Sequence, residues 1–118
     1  MFQVEFYVKP NGECPAQDFL DGLSSANELP IVIRTIGLLE KYGNELRRPH
    51  TDLLRDHIWE LRIRTRRQIR LLYFFFSGDR IVITHGFIKK DNKVRVVEIE
   101  RASHYRGNYY QKHTGRLK

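Results

Sequence analysis

Five arginines fall within nine residues of the chain, in a stretch that otherwise consists of strand-forming residues and ends in an aromatic run, 73–76. The five are Arg62, Arg64, Arg66, Arg67 and Arg70. A guanidinium group stays protonated at physiological pH and can bind a phosphate through two parallel hydrogen bonds. The cluster therefore predicts a phosphate-binding site, and the competing interpretation is an ordinary solvated basic face.

Strand geometry decides which of these arginines can act together. Side chains along a strand alternate between the two faces of a sheet, so Arg62 and Arg64 share one face. If the strand that begins near Gln68 lies beside the end of this one, Arg70 joins them at one end of the sheet. Arg66 and Arg67 then fall in the connecting turn.

Composition favours a polyanion as the partner. The 118 residues include 21 Lys and Arg against 14 Asp and Glu, which gives a net charge of +7 and a pI near 9.8. Residues 1–30 carry one basic and five acidic side chains, whereas residues 31–118 carry 20 basic and nine acidic ones. Nucleic acid is the leading candidate partner, and the basic surface belongs to the later part of the chain.

Other classes of protein and of site are disfavoured. The length and 41% hydrophobic content fit a single domain, residues 1–118. One cysteine cannot form an internal disulfide, and no segment suits a signal peptide or membrane span, so we expect a cytoplasmic protein without membrane contact. His50 and His57 lack partners at metal-ligand spacing, and no phosphate-binding glycine loop is present. We expect neither a metal nor another cofactor.

Hydrophobic periodicity predicts the elements that position the arginines. Alternating residues predict strands, and a 3.6-residue period with Pro near the start and Gly at the end predicts helices. The predicted order is a strand over 2–8, a short helix over 15–23, a break over 24–27, a helix over 28–42 ending at Gly43, a connecting loop over 44–56, and strands over Ile58–Arg64, Gln68–Phe76 and 80–87. Residues 94–112 fit a helix, with a strand as the alternative for 94–100.

These elements predict an α+β fold, β-α-α-β-β-β-α, with a mainly antiparallel sheet. The second strand of the arginine region is apolar on both faces, which suits a central position. Four segments then resemble, in order, the HigB-like, phage-derived-protein-like branch of the RelE/ParE toxin superfamily. They are 58–63 (IWELRI), 69–74 (IRLLYF), 85–90 (HGFIKK) and 98–102 (EIERA).

The resemblance implies a compact RelE-like fold and a type II toxin-antitoxin toxin. Many relatives cleave messenger RNA on the ribosome and are silenced by an antitoxin, often with a helix-turn-helix domain. It implies as partners a HigA-like antitoxin, mRNA and the 70S ribosome. Arg62, Arg64, Arg70, Lys89 and Lys90 match the basic positions of the family, whereas Arg95 stands near the position where the family often has Pro.

RNA cleavage by the 2′-hydroxyl needs positive charge at the phosphate and groups that transfer protons. His104 and Tyr105 are the favoured proton-transfer candidates, ahead of His85, and Glu60 and Glu98 are less suitable. Additional RNA-binding candidates are Arg66, Arg67, Arg101 and Tyr109. Packing of the last helix is the competing explanation for its tyrosines. Two other functions stay open, namely a toxin of the same fold that inhibits DNA gyrase and a basic RNA-binding module without catalysis.

Overall fold

A five-stranded sheet between two layers of helices forms the fold in the computed structural model, which describes residues 1–23 and 27–114. The elements are β1 Gln3–Phe6, α1 Pro15–Asp21, α2 Glu28–Tyr42, a 3-10 turn Gly43–Glu45, β2 Thr51–Arg55, β3 Ile58–Arg64, β4 Gln68–Phe76, β5 Arg80–Lys89 and α3 Val96–Thr114. The predicted α+β class is confirmed. Most of the predicted break, residues 24–26, lies outside the described residues.

The strand order is β1-β5-β4-β3-β2. The three pairings along the consecutive strands β2 to β5 are antiparallel, and the sheet is mainly antiparallel as predicted, although the pairing of β2 with β3 was not foreseen. The fourth pairing is parallel, because β1 runs alongside β5 with Gln3 opposite Arg80. β4 lies at the centre, which agrees with its apolar residues on both faces.

Each face of the sheet has its own apolar core. On one face, α1 and α2 pack their buried side chains, including Leu20, Val32 and Leu39, against β3, β4 and β5. On the other face, Ala102 and Tyr109 of α3 pack against Leu72, Phe74 and other apolar residues. The period-2 alternation of the strands therefore separates two cores that share only the backbone of the sheet.

The predicted loop over 44–56 is wrong, because this segment contains β2. Thr51–Arg55 pairs antiparallel with β3, and Asp52 lies opposite Glu60. The segment has a single apolar pair, Leu53 and Leu54, in place of alternation, so periodicity alone gave no strand signal. Its strand conformation comes from the backbone hydrogen bonds that β3 offers at its edge.

Several boundaries differ from those expected. β1 is shorter than predicted, β5 continues to Lys89, and α3 begins at Val96, after the carbonyl of Arg95 has accepted the N–H groups of Glu98 and Ile99. The helix alternative for the last segment is confirmed. Gly43 ends α2 with φ of 52°, a left-handed value that glycine tolerates. No helix in the described part of the chain is long and apolar enough to cross a membrane.

We predict that Gly86→Ala and Gly37→Ala have opposite effects on stability. A methyl group on Gly86 would lie 2.5 Å from the Phe19 ring and 2.6 Å from a methyl of Leu71, where α1 packs closely on β5. Overpacking of this kind costs about 1–3 kcal/mol. Gly37, inside α2, has open space around it, so alanine there should stabilise by up to about 1 kcal/mol. Urea unfolding measures both, and equal stability of the two variants would contradict this close packing.

Candidate phosphate-binding site

The register of β3, β4 and β5 brings the predicted arginines together. Arg62 lies opposite Arg70, and Arg70 lies opposite Phe87. One row further along, Arg64 lies opposite Gln68, and Gln68 lies opposite Lys89. Residues opposite one another point to the same face, so these two rows form a basic end of the sheet on the α3 face.

A buried carboxylate holds two of these arginines. Glu60, 2% exposed, accepts hydrogen bonds from Arg62 at 2.9 Å, and its other oxygen lies 3.2 Å from Nε of Arg70. That second contact is an ion pair without a well-directed hydrogen bond. Arg62 also donates to Asp52 at 3.1 Å. Two cations thus share two carboxylates. Glu60 and Asp52 direct the guanidinium group of Arg62, and Glu60 places a negative charge beside that of Arg70.

Arg70 is more enclosed than the sequence suggested. It is 7% exposed, and its guanidinium donates to the carbonyl of Ile69 at 3.1 Å and to Gln68 at 3.2 Å. Burial lowers the pKa of Arg70, and the charge of Glu60 opposes that shift. Even so, an arginine stays charged in a protein, so Arg70 contributes a fixed positive charge beneath the more exposed Arg64.

A groove of about 670 Å³ lies at this basic end, and we call it the arginine groove. Its lining residues are Ile31, Thr35, Pro49, His50, Arg62, Ile63, Arg64, Arg70 and Lys89. Arg64 is exposed and Lys89 is half-buried, and neither shows a side-chain ion pair within the described residues. These two cations are therefore available to an incoming anion.

His50 was missed by the analysis of the sequence. The N–H of Arg62 donates to the carbonyl of His50 at 2.7 Å, so the pairing of β2 with β3 continues one residue beyond Thr51. This bond brings the histidine to the arginine groove. In the sequence, His50 was assessed only as a possible metal ligand. Interpretation of 51–55 as a strand antiparallel to β3 would have predicted its place opposite Arg62.

The candidates predicted on the last helix lie on α3, away from the arginine groove. Tyr105 stacks on Tyr7 with ring centres 4.7 Å apart, and His104 is exposed on α3. Arg101 pairs with Glu98 at 3.1 Å. None of Arg101, His104 and Tyr105 lines the arginine groove.

His85 belongs to a buried network with Thr84 and Glu98. Its Nδ1 lies 3.1 Å from the hydroxyl of Thr84, and its Nε2 lies 3.0 Å from a carboxylate oxygen of Glu98. Burial lowers the pKa of His85, while the hydrogen bond with Glu98 opposes that shift. Hydroxyl, imidazole and carboxylate follow one another here as in the catalytic triad of a hydrolase. Thr84 is fully buried, however, so a substrate could not reach its hydroxyl.

Tyr109 cannot stack on a base in this conformation, because it is 3% exposed at the opposite end of the sheet. Its hydroxyl donates to Glu5 at 2.7 Å and accepts from Arg80 at 3.2 Å. Its ring packs on Phe74 and Phe76. Burial raises the pKa of Tyr109 to about 12. These contacts fasten α3 to the sheet far from Arg70.

The turn arginines and Lys90 surround the groove in different ways. Arg66 is exposed in the turn, whereas Arg67 donates to both carboxylate oxygens of Glu28, at 2.6 and 3.0 Å. Those hydrogen bonds lower the pKa of Glu28. Lys90 lines a neighbouring recess with Lys93 and Arg95. Among residues 1–23 and 27–114, no group of three or more His, Cys, Asp or Glu side chains is arranged to hold a metal ion.

Comparison with known proteins identifies the family of the chain. A search of curated proteins found no match. The family model for "Phage derived protein Gp49-like (DUF891)" matches residues 18–106, three quarters of the chain and every residue that lines the arginine groove. The chain therefore belongs to the Gp49-like phage-derived protein family, which is generally of the toxin type of toxin-antitoxin systems and falls within the RelE/HigB-like toxin superfamily.

Proposed function

We propose that this protein is a HigB-like type II toxin that cleaves messenger RNA in the arginine groove, on the ribosome. The observation that carries the proposal is the combination of accessible cations, Arg64 and Lys89, with fixed guanidinium groups and a histidine in one groove. This set offers phosphate binding and proton transfer together. The toxin type of the family supports the same conclusion and implies an antitoxin partner.

The reaction that suits these residues is attack of a ribose 2′-hydroxyl on the adjacent phosphate. The 2′-oxygen forms a bond to phosphorus, the bond to the 5′-oxygen breaks, and a 2′,3′-cyclic phosphate and a 5′-hydroxyl result. Negative charge builds up on the phosphate oxygens in the transition state, and fixed cations stabilise it without reorganising. Because the substrate supplies its own nucleophile, the protein has chiefly to orient the phosphate.

Glu60 and Asp52 are positioning residues in this scheme. They neutralise part of the charge of Arg62 and Arg70 and hold both side chains in one orientation. A phosphate that enters the groove then meets Arg64 and Lys89 first and the oriented guanidinium groups behind them. The guanidinium and ammonium charges fill the role that metal ions fill in two-metal nucleases, so we propose metal-independent cleavage.

His50 is our candidate for proton transfer. An imidazole has an unperturbed pKa of ~6.5 and can act as base or acid near neutral pH. His50 lines the arginine groove, unlike His104 and Tyr105, and we therefore transfer the proton-transfer role from those two residues to His50. The exposed cations beside the groove, Arg66, Lys90, Lys93 and Arg95, would contact ribosomal RNA, and this is the reason for proposing the ribosome as the place of action.

We predict that Arg64→Ala strongly reduces cleavage of messages. Loss of one accessible phosphate-contacting cation should cost on the order of 10²-fold in rate. Arg64→Lys, which keeps the charge but lacks the bidentate geometry, should retain an intermediate rate. The readout is new RNA ends in cells that express each variant.

The matched control for this prediction is Lys112→Ala. This change removes the same charge from the last turn of α3, at the opposite end of the sheet, and should leave cleavage unchanged. Arg70→Ala is a poorer test, because breaking a buried ion pair costs about 3–5 kcal/mol and would unfold part of the population. Full cleavage by a folded Arg64→Ala variant would contradict the site.

We also predict that His50→Asn lowers the cleavage rate by about 10²-fold or more, as expected on removing a general acid or base. His104→Asn, an equivalent change on the exposed face of α3, should have no such effect. Rates follow from the growth of cut ends after induction, with circular dichroism as the check on folding. The reverse ranking of the two variants would return the role to His104.

The chemistry of the cut provides a further prediction. Cut messages should carry 5′-hydroxyl ends and 2′,3′-cyclic or 3′-phosphate ends, because the leaving group is the 5′-oxygen. Ligation-based mapping of end groups distinguishes these from 5′-phosphate and 3′-hydroxyl ends, which would rule out this mechanism. Cells that stop growing without new RNA ends, and with trapped DNA breaks, would favour inhibition of gyrase.

A further inference from the structure

The outer edge of β2 has backbone hydrogen-bonding groups that pair with no other strand in the described part of the chain. β2 is the terminal strand of the sheet, with β3 on one side. The carbonyl of His50 faces β3, because it accepts the N–H of Arg62. Backbone groups alternate in direction along a strand, so those of Thr51 and Leu53 point away from β3. Such an edge can accept another strand.

An exposed apolar side chain lies on this edge. Leu53 is 51% exposed, although sheet edges are usually protected by charge. Beside it is a recess of about 490 Å³, lined in part by Leu46 and the half-buried ring of Trp59. A strand added here would present an apolar side chain to Leu53 and this recess, which is the kind of anchor that dominates protein interfaces.

Cations border the same edge on both faces of the sheet. Arg48 and Arg55 remain 74% and 49% exposed despite contacts with Asp52 and Asp56. Arg55 and Arg106 line a recess of about 610 Å³ between the β2–β3 turn and α3. The guanidinium of Arg106 lies over the ring of Tyr110, and its buried Nε has no hydrogen-bond partner among residues 1–23 and 27–114. Asp52 and Asp56 leave Arg48 and Arg55 largely exposed, and Arg106 forms no ion pair with a carboxylate of the described residues, so the edge can accept further acidic groups.

These observations determine the chemistry of the occupant. A second copy of the chain would bring the same arginines face to face, and like charges opposed across strands are destabilising. An acidic strand with alternating apolar side chains suits the backbone groups of β2, the exposed Leu53 and the arginines together. Its apolar side chains meet Leu53 and Trp59, and its carboxylates meet Arg55 and Arg106.

We propose that the outer edge of β2 is the docking site of an extended, acidic segment of the antitoxin. The proposal rests on the assignment of the chain as a toxin with an antitoxin partner. A register shift between Leu53 and Arg55 ends the straight part of the edge, so few backbone bonds can form. Side-chain contacts at Leu53 and the arginines then provide most of the affinity.

The first test uses a synthetic heptapeptide of alternating Glu and Val, with blocked ends, and measures amide hydrogen exchange of the purified protein. At about ten times its dissociation constant, the peptide should slow exchange at Leu53 by about tenfold. The amide of Val4, on the outer edge of β1, should not change. A Lys-Val heptapeptide with the same alternation should protect neither amide.

Three results would overturn the proposal. The first is that the Glu-Val peptide does not slow exchange at Leu53. The second is that it slows exchange equally at Leu53 and Val4. The third is that the Lys-Val peptide protects Leu53 as well as the Glu-Val peptide does. A single-stranded RNA oligonucleotide that protects Leu53 in place of the peptide would assign this edge to nucleic acid. None of these measurements depends on toxicity or RNA cleavage. Their failure is therefore distinct from a failure of the proposed ribonuclease function.

The second test compares Leu53→Lys with Ile33→Lys in complex with the full-length antitoxin, taken as the protein encoded next to this chain. Ile33 is 54% exposed on α2, so the two changes have the same chemistry at similar exposure. Leu53→Lys should weaken the complex by about tenfold or more, as expected for loss of one buried leucine contact. Ile33→Lys should not weaken it. Equal affinities of the two variants would refute docking at β2.

Discussion

The burial of Glu60 is the constraint on which the basic end of the sheet depends. A carboxylate with 2% exposure requires positive partners, since an unpaired buried charge costs several kcal/mol. Arg62 and Arg70 supply them from two neighbouring strands. The two ion pairs therefore link the register of β3 and β4 to the positions of two guanidinium groups. A shift of either strand by one residue would send its own arginine to the opposite face, into the apolar core under α1 and α2, and would break its contact with Glu60 or the contact of its neighbour.

This arrangement divides the cations of the groove into two kinds. Arg62 and Arg70 are balanced by Glu60 and Asp52 and are held in place, whereas Arg64 and Lys89 supply the net positive charge. The fixed cations would orient a bound phosphate, and the free cations attract an anion through solvent. A stretch of sequence that looks uniformly basic thus contains residues with different physical roles, because the acidic partners come from other strands.

Much of the fold could be predicted from the sequence because it follows from short-range patterns. Strand-forming composition predicted β3 and β4, alternation predicted the shared face of Arg62 and Arg64, and helical spacing with Gly43 predicted α2. β2 could not be found in the same way, since its strand conformation comes from its neighbour. The role of His50 was missed for the same reason, since its place opposite Arg62 follows from the pairing of β2 with β3. The convergence of Arg62 and Arg70 needed only the hairpin register, whereas the burial of Arg70 depended on its contacts with Glu60 and Gln68 in the folded sheet.

The last helix shows which features of a fold helical spacing does not determine. A period of 3.6 residues predicts which side chains share a face, but not which end of the sheet each will reach. At ~1.5 Å per residue, Arg101 and Tyr109 are about 12 Å apart along α3. The contacts of Tyr109 with Phe76 and Arg80 fix the far end of the helix, so residues grouped by spacing belong to different regions.

The parallel pairing of β1 with β5 has a consequence for synthesis of the protein. β1 leaves the ribosome first, yet its partner does not exist until the residues after Arg80 have been made. In contrast, β2 to β5 are joined by short turns and can pair in sequence as they emerge, since closure of short loops loses little entropy. The nascent chain can therefore assemble the strands that carry the arginines before its own N-terminal segment closes the sheet. β1, although translated before the other four strands, can take its place in the sheet only once β5 has been made.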